Sequence, residues 1–140
     1  MELFDLTALE LGAKIKKREI GVVEATRACL DRIGEQEKTV HAFITVTPEL
    51  ALARAEAVQR GIDDGTYTGP LAGVPMAIKD LISTKGVATT CASKMLEHYV
   101  PVFDATVTKK LEAAGAPAAD ETERNEGNTG TPGGPLHKDI

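Results

Sequence analysis

The chain has no tryptophan, only two cysteines and only two serines in 140 residues, and aromatic residues make up 4% of it. Two cysteines, Cys29 and Cys91, cannot make the disulfide framework of a small secreted protein; they read as reduced thiols serving as small buried hydrophobes. The serines, Ser83 and Ser93, and the histidines, His41, His98 and His137, sit on unrelated segments, and no Gly-x-Ser-x-Gly turn occurs. A Ser-His-Asp triad is therefore not expected. No two histidines or cysteines have the short spacing of a zinc site, and the acidic pairs Asp63-Asp64 and Asp120-Glu121 lie in turn-like sequence as solvated charges. Gly133-Gly134 is not followed by the Lys-Ser or Lys-Thr of a phosphate-binding loop.

Long apolar runs are also missing. The longest, Leu71 to Ile78, is far short of the roughly 20 residues that span a bilayer. The start Met1-Glu2-Leu3-Phe4-Asp5 lacks the basic region and apolar core of a signal peptide, so a cytoplasmic location without membrane association is expected. Basic charge is outnumbered, 16 Lys and Arg against 21 Asp and Glu for a net −5, which disfavours direct contact with a nucleic-acid backbone. What the chain does have is 42% hydrophobic and 26% charged residues, the balance of a globular domain able to bury roughly 70% of its unfolded surface.

Local patterns place the elements. Thr7 followed by Glu10 is a capping box that opens a helix from Ala8 to about Lys17, closed by the basic Lys14, Lys16, Lys17 and Arg18. Gly21 separates it from a second amphipathic helix, Val22 to near Glu35, with Val22, Thr26, Cys29, Leu30 and Ile33 on one face. Ala42 to Val46 is short and β-branched and predicts a strand. Thr47-Pro48 predicts an N-cap with proline at the first helical position, opening a third helix to about Gly61. After the turn residues Asp63-Asp64-Gly65 and Gly69-Pro70, Val74 to Lys79 reads as a buried strand. Asp104 predicts the cap of a fourth helix with Val107, Leu111 and Ala114 on one face and Gly115 as a left-handed stop. From Pro117 to Ile140 there are three prolines, four glycines and five acidic residues against two basic ones, so this stretch reads as a disordered tail without a strand.

One segment carries possible chemistry. Gly69 to Asp80 brings an apolar strand to its end at Lys79, and strand ends in α/β sheets open onto sites. A lysine desolvated there favours its neutral, base-competent form. On spacing alone a second reading stands beside it, in which Lys79 has reached solvent and pairs with Asp80.

Gly69-Pro70-Leu71-Ala72-Gly73-Val74-Pro75-Met76-Ala77-Ile78-Lys79-Asp80, with Thr84-Lys85-Gly86, Thr89-Thr90-Cys91-Ala92-Ser93-Lys94, Tyr99-Val100-Pro101 and Asp104-Ala105-Thr106-Val107, resembles the N-terminal part of the amidase signature family. Within that family the 89–94 and 104–107 elements resemble the branch formed by the A subunits of tRNA-dependent amidotransferases. The resemblance spans about Leu6 to Ala116 and includes the two leading helices. It implies an α/β/α fold with a mixed sheet, of which residues 1–116 are an incomplete N-terminal part. It also implies a Ser–cis-Ser–Lys triad whose lysine is Lys79, the residue matching the motif.

In that branch, glutamine is hydrolysed and the ammonia passes to a B subunit. The B subunit converts ATP-activated Glu-tRNA(Gln), or Asp-tRNA(Asn), to the amide, and a small C subunit braces A on B. Charged tRNA, ATP and Mg²⁺ are thus handled by B, and no cofactor or metal is expected in this chain.

The sequence departs from the family pattern as well. Leu81 stands where the family more often carries Asn, and neither Ser83 nor Ser93 matches a catalytic serine. Residues 117–140 read as unlike the family, which points to a frame change or premature end, with a genuine short form kept as a non-catalytic interaction module as the rival. A general amide hydrolase of the family is the other alternative. As a truncated piece the chain is expected to be inactive alone, and poorly folded because its strands would lack neighbours.

Overall fold

The computed structural model describes residues 3–116 and 118–120. Four helices, α1 (Ala8–Lys16), α2 (Val22–Val40), α3 (Pro48–Asp63) and α4 (Thr106–Ala113), accompany two short strands, β1 (Met76–Ala77) and β2 (Ala118–Asp120). Single 3₁₀ turns occupy Leu3–Asp5 and Lys94–Leu96.

The capping box of α1 forms as the sequence predicts. The Glu10 amide donates to Thr7 Oγ1 at 3.3 Å, and the Thr7 amide donates to Glu10 Oε2 at 2.8 Å. The bond from the Thr7 amide first, and a second one donated by the Thr7 hydroxyl to the same Oε2 at 2.8 Å, hold the Glu10 carboxyl below the ordinary glutamate range. A carboxyl lowered on folding adds stability above its unfolded value, and that stability is lost as pH falls through the lowered folded value. Thr7→Ala removes the N-cap acceptor of the Glu10 amide and should cost about 1 kcal/mol in urea melts at neutral pH. The gap to the parent should narrow once the pH drops below the ordinary glutamate range.

Helix α2 runs past Glu35 to Val40 before His41 takes the left-handed C-cap conformation with φ 53°. Its first turn is held from α3, because the Val22 amide donates to Gln59 Oε1 at 2.9 Å. The strand expected at Ala42 to Val46 is reduced to a single bridge residue, Phe43. Helix α2 itself takes the ladder donors: the Ala42 and Phe43 amides donate to the two carboxylate oxygens of Glu37, at 3.1 and 3.0 Å. Pro48 opens α3 as predicted, but Thr47 makes no capping hydrogen bond and its buried hydroxyl has no partner among the described residues.

The core is the seam between α1, α2 and α3, where Leu11 and Ile15 meet Val22, Ala25, Ala55 and Val58, with Val74 delivered by the chain approaching β1. Gly73, at φ +83°, lies directly under these helices, and its amide donates to the Gly115 carbonyl at 2.7 Å. Gly115 adopts the left-handed stop predicted for it, φ +70°. The entry to β1 and the exit from α4 are thereby tied together.

The strand read from Val74 to Lys79 shortens to Met76–Ala77. Pro75 has no amide to give a ladder, and beyond Ala77 the chain turns, with the Ile82 amide donating to the Lys79 carbonyl at 2.9 Å. Contrary to the expectation of no strand after Pro117, β2 lies parallel to β1, pairing Met76 with Ala118 and Ala77 with Asp120. Parallel pairing is made by backbone groups, so apolar side-chain content was the wrong criterion for it. The pair and its crossover through α4 make an α/β unit. Apart from β2, the tail expected to be disordered over 117–140 lies outside the described residues. No helix among the described residues is long and apolar enough to cross a membrane.

Candidate functional site

From β1 the chain continues as Ile78, Lys79, Asp80 and Leu81, and burial alternates along it: Ile78 and Asp80 are inside, Lys79 and Leu81 outside. The alternation carries from β1 into the turn that the Ile82 amide closes on the Lys79 carbonyl. It sends the lysine out on the face opposite its acidic neighbour. The partly desolvated lysine expected at a strand end is instead exposed among the described residues, and its pairing with Asp80 does not form.

Asp80 is engaged elsewhere. The Thr90 amide donates to its Oδ1 at 2.7 Å, the Thr90 hydroxyl donates to Oδ2, and the Ala92 amide reaches Oδ2 at 3.3 Å. The Cys91 amide donates to the Asp80 carbonyl at 3.1 Å. One loop, Thr89 to Ser93, is thus wrapped on one carboxylate. Cys91 and Ala92 are both held in the left-handed region, φ 51° and 53°. Sequence reasoning missed this clamp. Its one signal in the sequence was the pair of adjacent threonines, Thr89 and Thr90.

Between Asp80 and α4 the chain doubles back as an irregular ribbon. The Thr89 amide donates to the Tyr99 carbonyl, Gly86 to Pro101 and Ala105 to Ser83, at 3.0, 3.0 and 2.8 Å. Asp104, read as a helix cap, instead accepts from the Lys85 amide at 2.7 Å, and Ala105 is the N-cap of α4. The buried residue of α4 is Thr108, whose hydroxyl donates to the Ser83 carbonyl at 3.1 Å, whereas Val107 and Ala114 are exposed. Both serines therefore serve backbone geometry: Ser83 accepts through its carbonyl, and the Ser93 amide closes a turn onto Thr90 at 2.8 Å.

The remaining candidates are dispersed. His41 and His98 are exposed, and His137 lies outside the described residues. Asp63 faces Arg18 at 3.6 Å, and Asp64 accepts from the Thr66 hydroxyl and amide, bonds that hold its carboxyl below the usual range. Cys29 is half-buried, but Cys91 is exposed, against the reading of both as buried hydrophobes.

The motif-bearing residues from Gly69 to Val107 thus fold as one unit, with Lys79 presented at its surface and the 89–93 loop locked beside it. Known proteins share both sequence and fold with it. The chain is 50% identical over 133 residues to the A subunit of the glutamyl-tRNA(Gln) amidotransferase of Geobacter metallireducens, which is 95% of this chain and 27% of that protein. It is also 50% identical over 126 residues to the corresponding protein of Carboxydothermus hydrogenoformans, covering 90% and 26%. It therefore spans about a quarter of the length of these relatives. Among solved structures, the native peptide amidase of Stenotrophomonas maltophilia superposes with a TM-score of 0.78 at 30% identity, over 86% of this chain and 25% of that one. The family model described as Amidase matches residues 24–132, reaching beyond Ala116, where the resemblance carried by the motifs stops. With that match covering well over half of its length, the chain belongs to the amidase family.

Proposed function

We propose that this chain is the N-terminal part of the glutamine-hydrolysing, ammonia-supplying A subunit of a tRNA-dependent amidotransferase, and that Lys79 is its catalytic base. The level of identity carries the reading: 50% to the amidotransferase protein, compared with 30% to the peptide amidase. That difference favours the tRNA-dependent branch over a general amide hydrolase. In this reading β1 and β2 are a first pair of the mixed sheet of an α/β/α fold, and Lys79 stands at its edge toward a serine-bearing loop. The lysine takes the proton of a bridging serine, which in turn activates the nucleophilic serine for attack on the glutamine amide. A tetrahedral intermediate then collapses to an acyl-enzyme and ammonia, and water releases glutamate.

The ammonia is passed to a B subunit braced by a C subunit. That B subunit binds ATP, Mg²⁺ and Glu-tRNA(Gln) or Asp-tRNA(Asn), in a cytoplasmic complex, and this chain holds no cofactor of its own. Ser83 and Ser93 are the only serines of the 140 residues, and neither matches a catalytic serine of the family pattern, which supports inactivity of this chain by itself. The purified 140-residue chain is expected to release no ammonia from glutamine. Release that disappears with Lys79→Ala would overturn the proposed inactivity.

A further inference from the structure

Among the residues whose side chains are described, Asp80 is the only acidic or basic one that is buried, at 4% exposed. Burying a carboxylate is costly unless it is fully hydrogen-bonded or paired, so a chain that does so gains something from the geometry it fixes. All three donors to the Asp80 carboxylate, and the donor to its carbonyl, come from Thr90, Cys91 and Ala92. Residue 80 is therefore fastened at both its side chain and its main chain to one loop. The positive φ angles of Cys91 and Ala92 cost energy in residues with a Cβ, and they persist because the clamp over-determines them.

Two consequences fall on Lys79. The backbone from which it projects is anchored one residue away, and the carboxylate best placed by sequence to capture its amine is turned inward onto three donors of the loop. We propose that Asp80 is a positioning residue for Lys79, acting through the Thr90–Ala92 clamp. The clamp holds the lysine stem in one direction and leaves its amine uncommitted to an ion pair with the adjacent aspartate. This rests on the reading of Lys79 as the base.

The test uses a completed chain: residues 1–116 of this sequence followed by the remainder of the Geobacter metallireducens protein, produced with its partner subunits. Asp80→Asn keeps the size and one acceptor but replaces the other oxygen with a donor facing the Ala92 amide. It should lower kcat for glutamine hydrolysis by roughly 10- to 100-fold with KM unchanged, the signature of a displaced base rather than a lost substrate contact. Thr90→Val should reproduce the fall, and Thr90→Ser, which keeps the hydroxyl, should restore the parental rate. Amide exchange at Ala92 should quicken in Asp80→Asn and remain slow in Thr90→Ser. If Asp80→Asn does not fold, the Thr90 pair decides.

Parental kcat in Asp80→Asn and Thr90→Val alongside an inactive Lys79→Ala overturns this inference and leaves the proposed function standing. A fall in the amount of folded protein with the kcat and KM of the surviving fraction intact shows a merely structural role and also overturns it. An active Lys79→Ala overturns the proposed function itself, and the role of Asp80 with it.

Discussion

Replacing Lys79 with alanine is expected to reduce glutamine hydrolysis by the completed chain by roughly 10²- to 10⁴-fold, the range a positioned general base contributes. The side chain is exposed and makes no ion pair among the described residues, so its removal should leave urea melts within about 0.5 kcal/mol of the parent. Loss of rate without loss of stability separates a chemical role from a structural one. Lys79→Arg sharpens the test. It keeps the positive charge and most of the stem, but a guanidinium does not give up its proton in a protein and cannot act as a base. It should be as inactive as the alanine variant, with glutamine binding retained. An arginine variant with more than about a tenth of parental activity would show that charge rather than proton transfer is what residue 79 supplies.

Local sequence rules hold in this chain where they agree with the tertiary structure. The Thr7–Glu10 capping box, Pro48 at the start of α3 and the left-handed Gly115 each depend on backbone geometry within one turn. The rules fail where a partner outside the turn itself takes the groups they assign. Glu37 captures the amides of Ala42 and Phe43 and removes a strand; Asp104 is drawn from its helix to the Lys85 amide, and Ala105 becomes the cap. β2 escapes them for the opposite reason, since three residues of little hydrophobicity can pair through backbone alone once Gly73 and Gly115 bring the two chain segments together.

At the site, motif resemblance marks Lys79, whereas physical chemistry alone leaves it between a base and a solvated partner of Asp80. The structure changes the terms of that choice. Lys79 is solvated, as the second reading has it, yet Asp80 is not its partner, because its carboxylate faces a loop ten residues further along the chain. No pairwise spacing rule anticipates a buried aspartate held by the amides of Thr90 and Ala92 in a left-handed loop.

Gly73→Ala is expected to cost about 3 kcal/mol, a large share of the roughly 5–15 kcal/mol that holds a typical domain together. Two effects combine there. At φ +83° any residue with a Cβ is strained, and the added carbon would lie 2.8 Å from Val22 Cγ2, 2.9 Å from Ile15 Cγ2 and 3.1 Å from Ile62 Cδ1. These contacts come from α2, α1 and α3 together, so no single helix can move to relieve the overlap without opening the seam that forms the core. The same backbone also carries the Gly73–Gly115 hydrogen bond that ties the entry of β1 to the exit of α4. Gly65 supplies the control: it has the same φ, +83°, but nothing lies within 4 Å of an added Cβ. Gly65→Ala should therefore show the conformational strain alone, about 1 kcal/mol. The difference between the two variants in urea melts measures the packing contribution beneath the three helices. Equal losses would mean that the helices yield freely around residue 73, and that the close fit there does not hold β1 and its lysine in register with them.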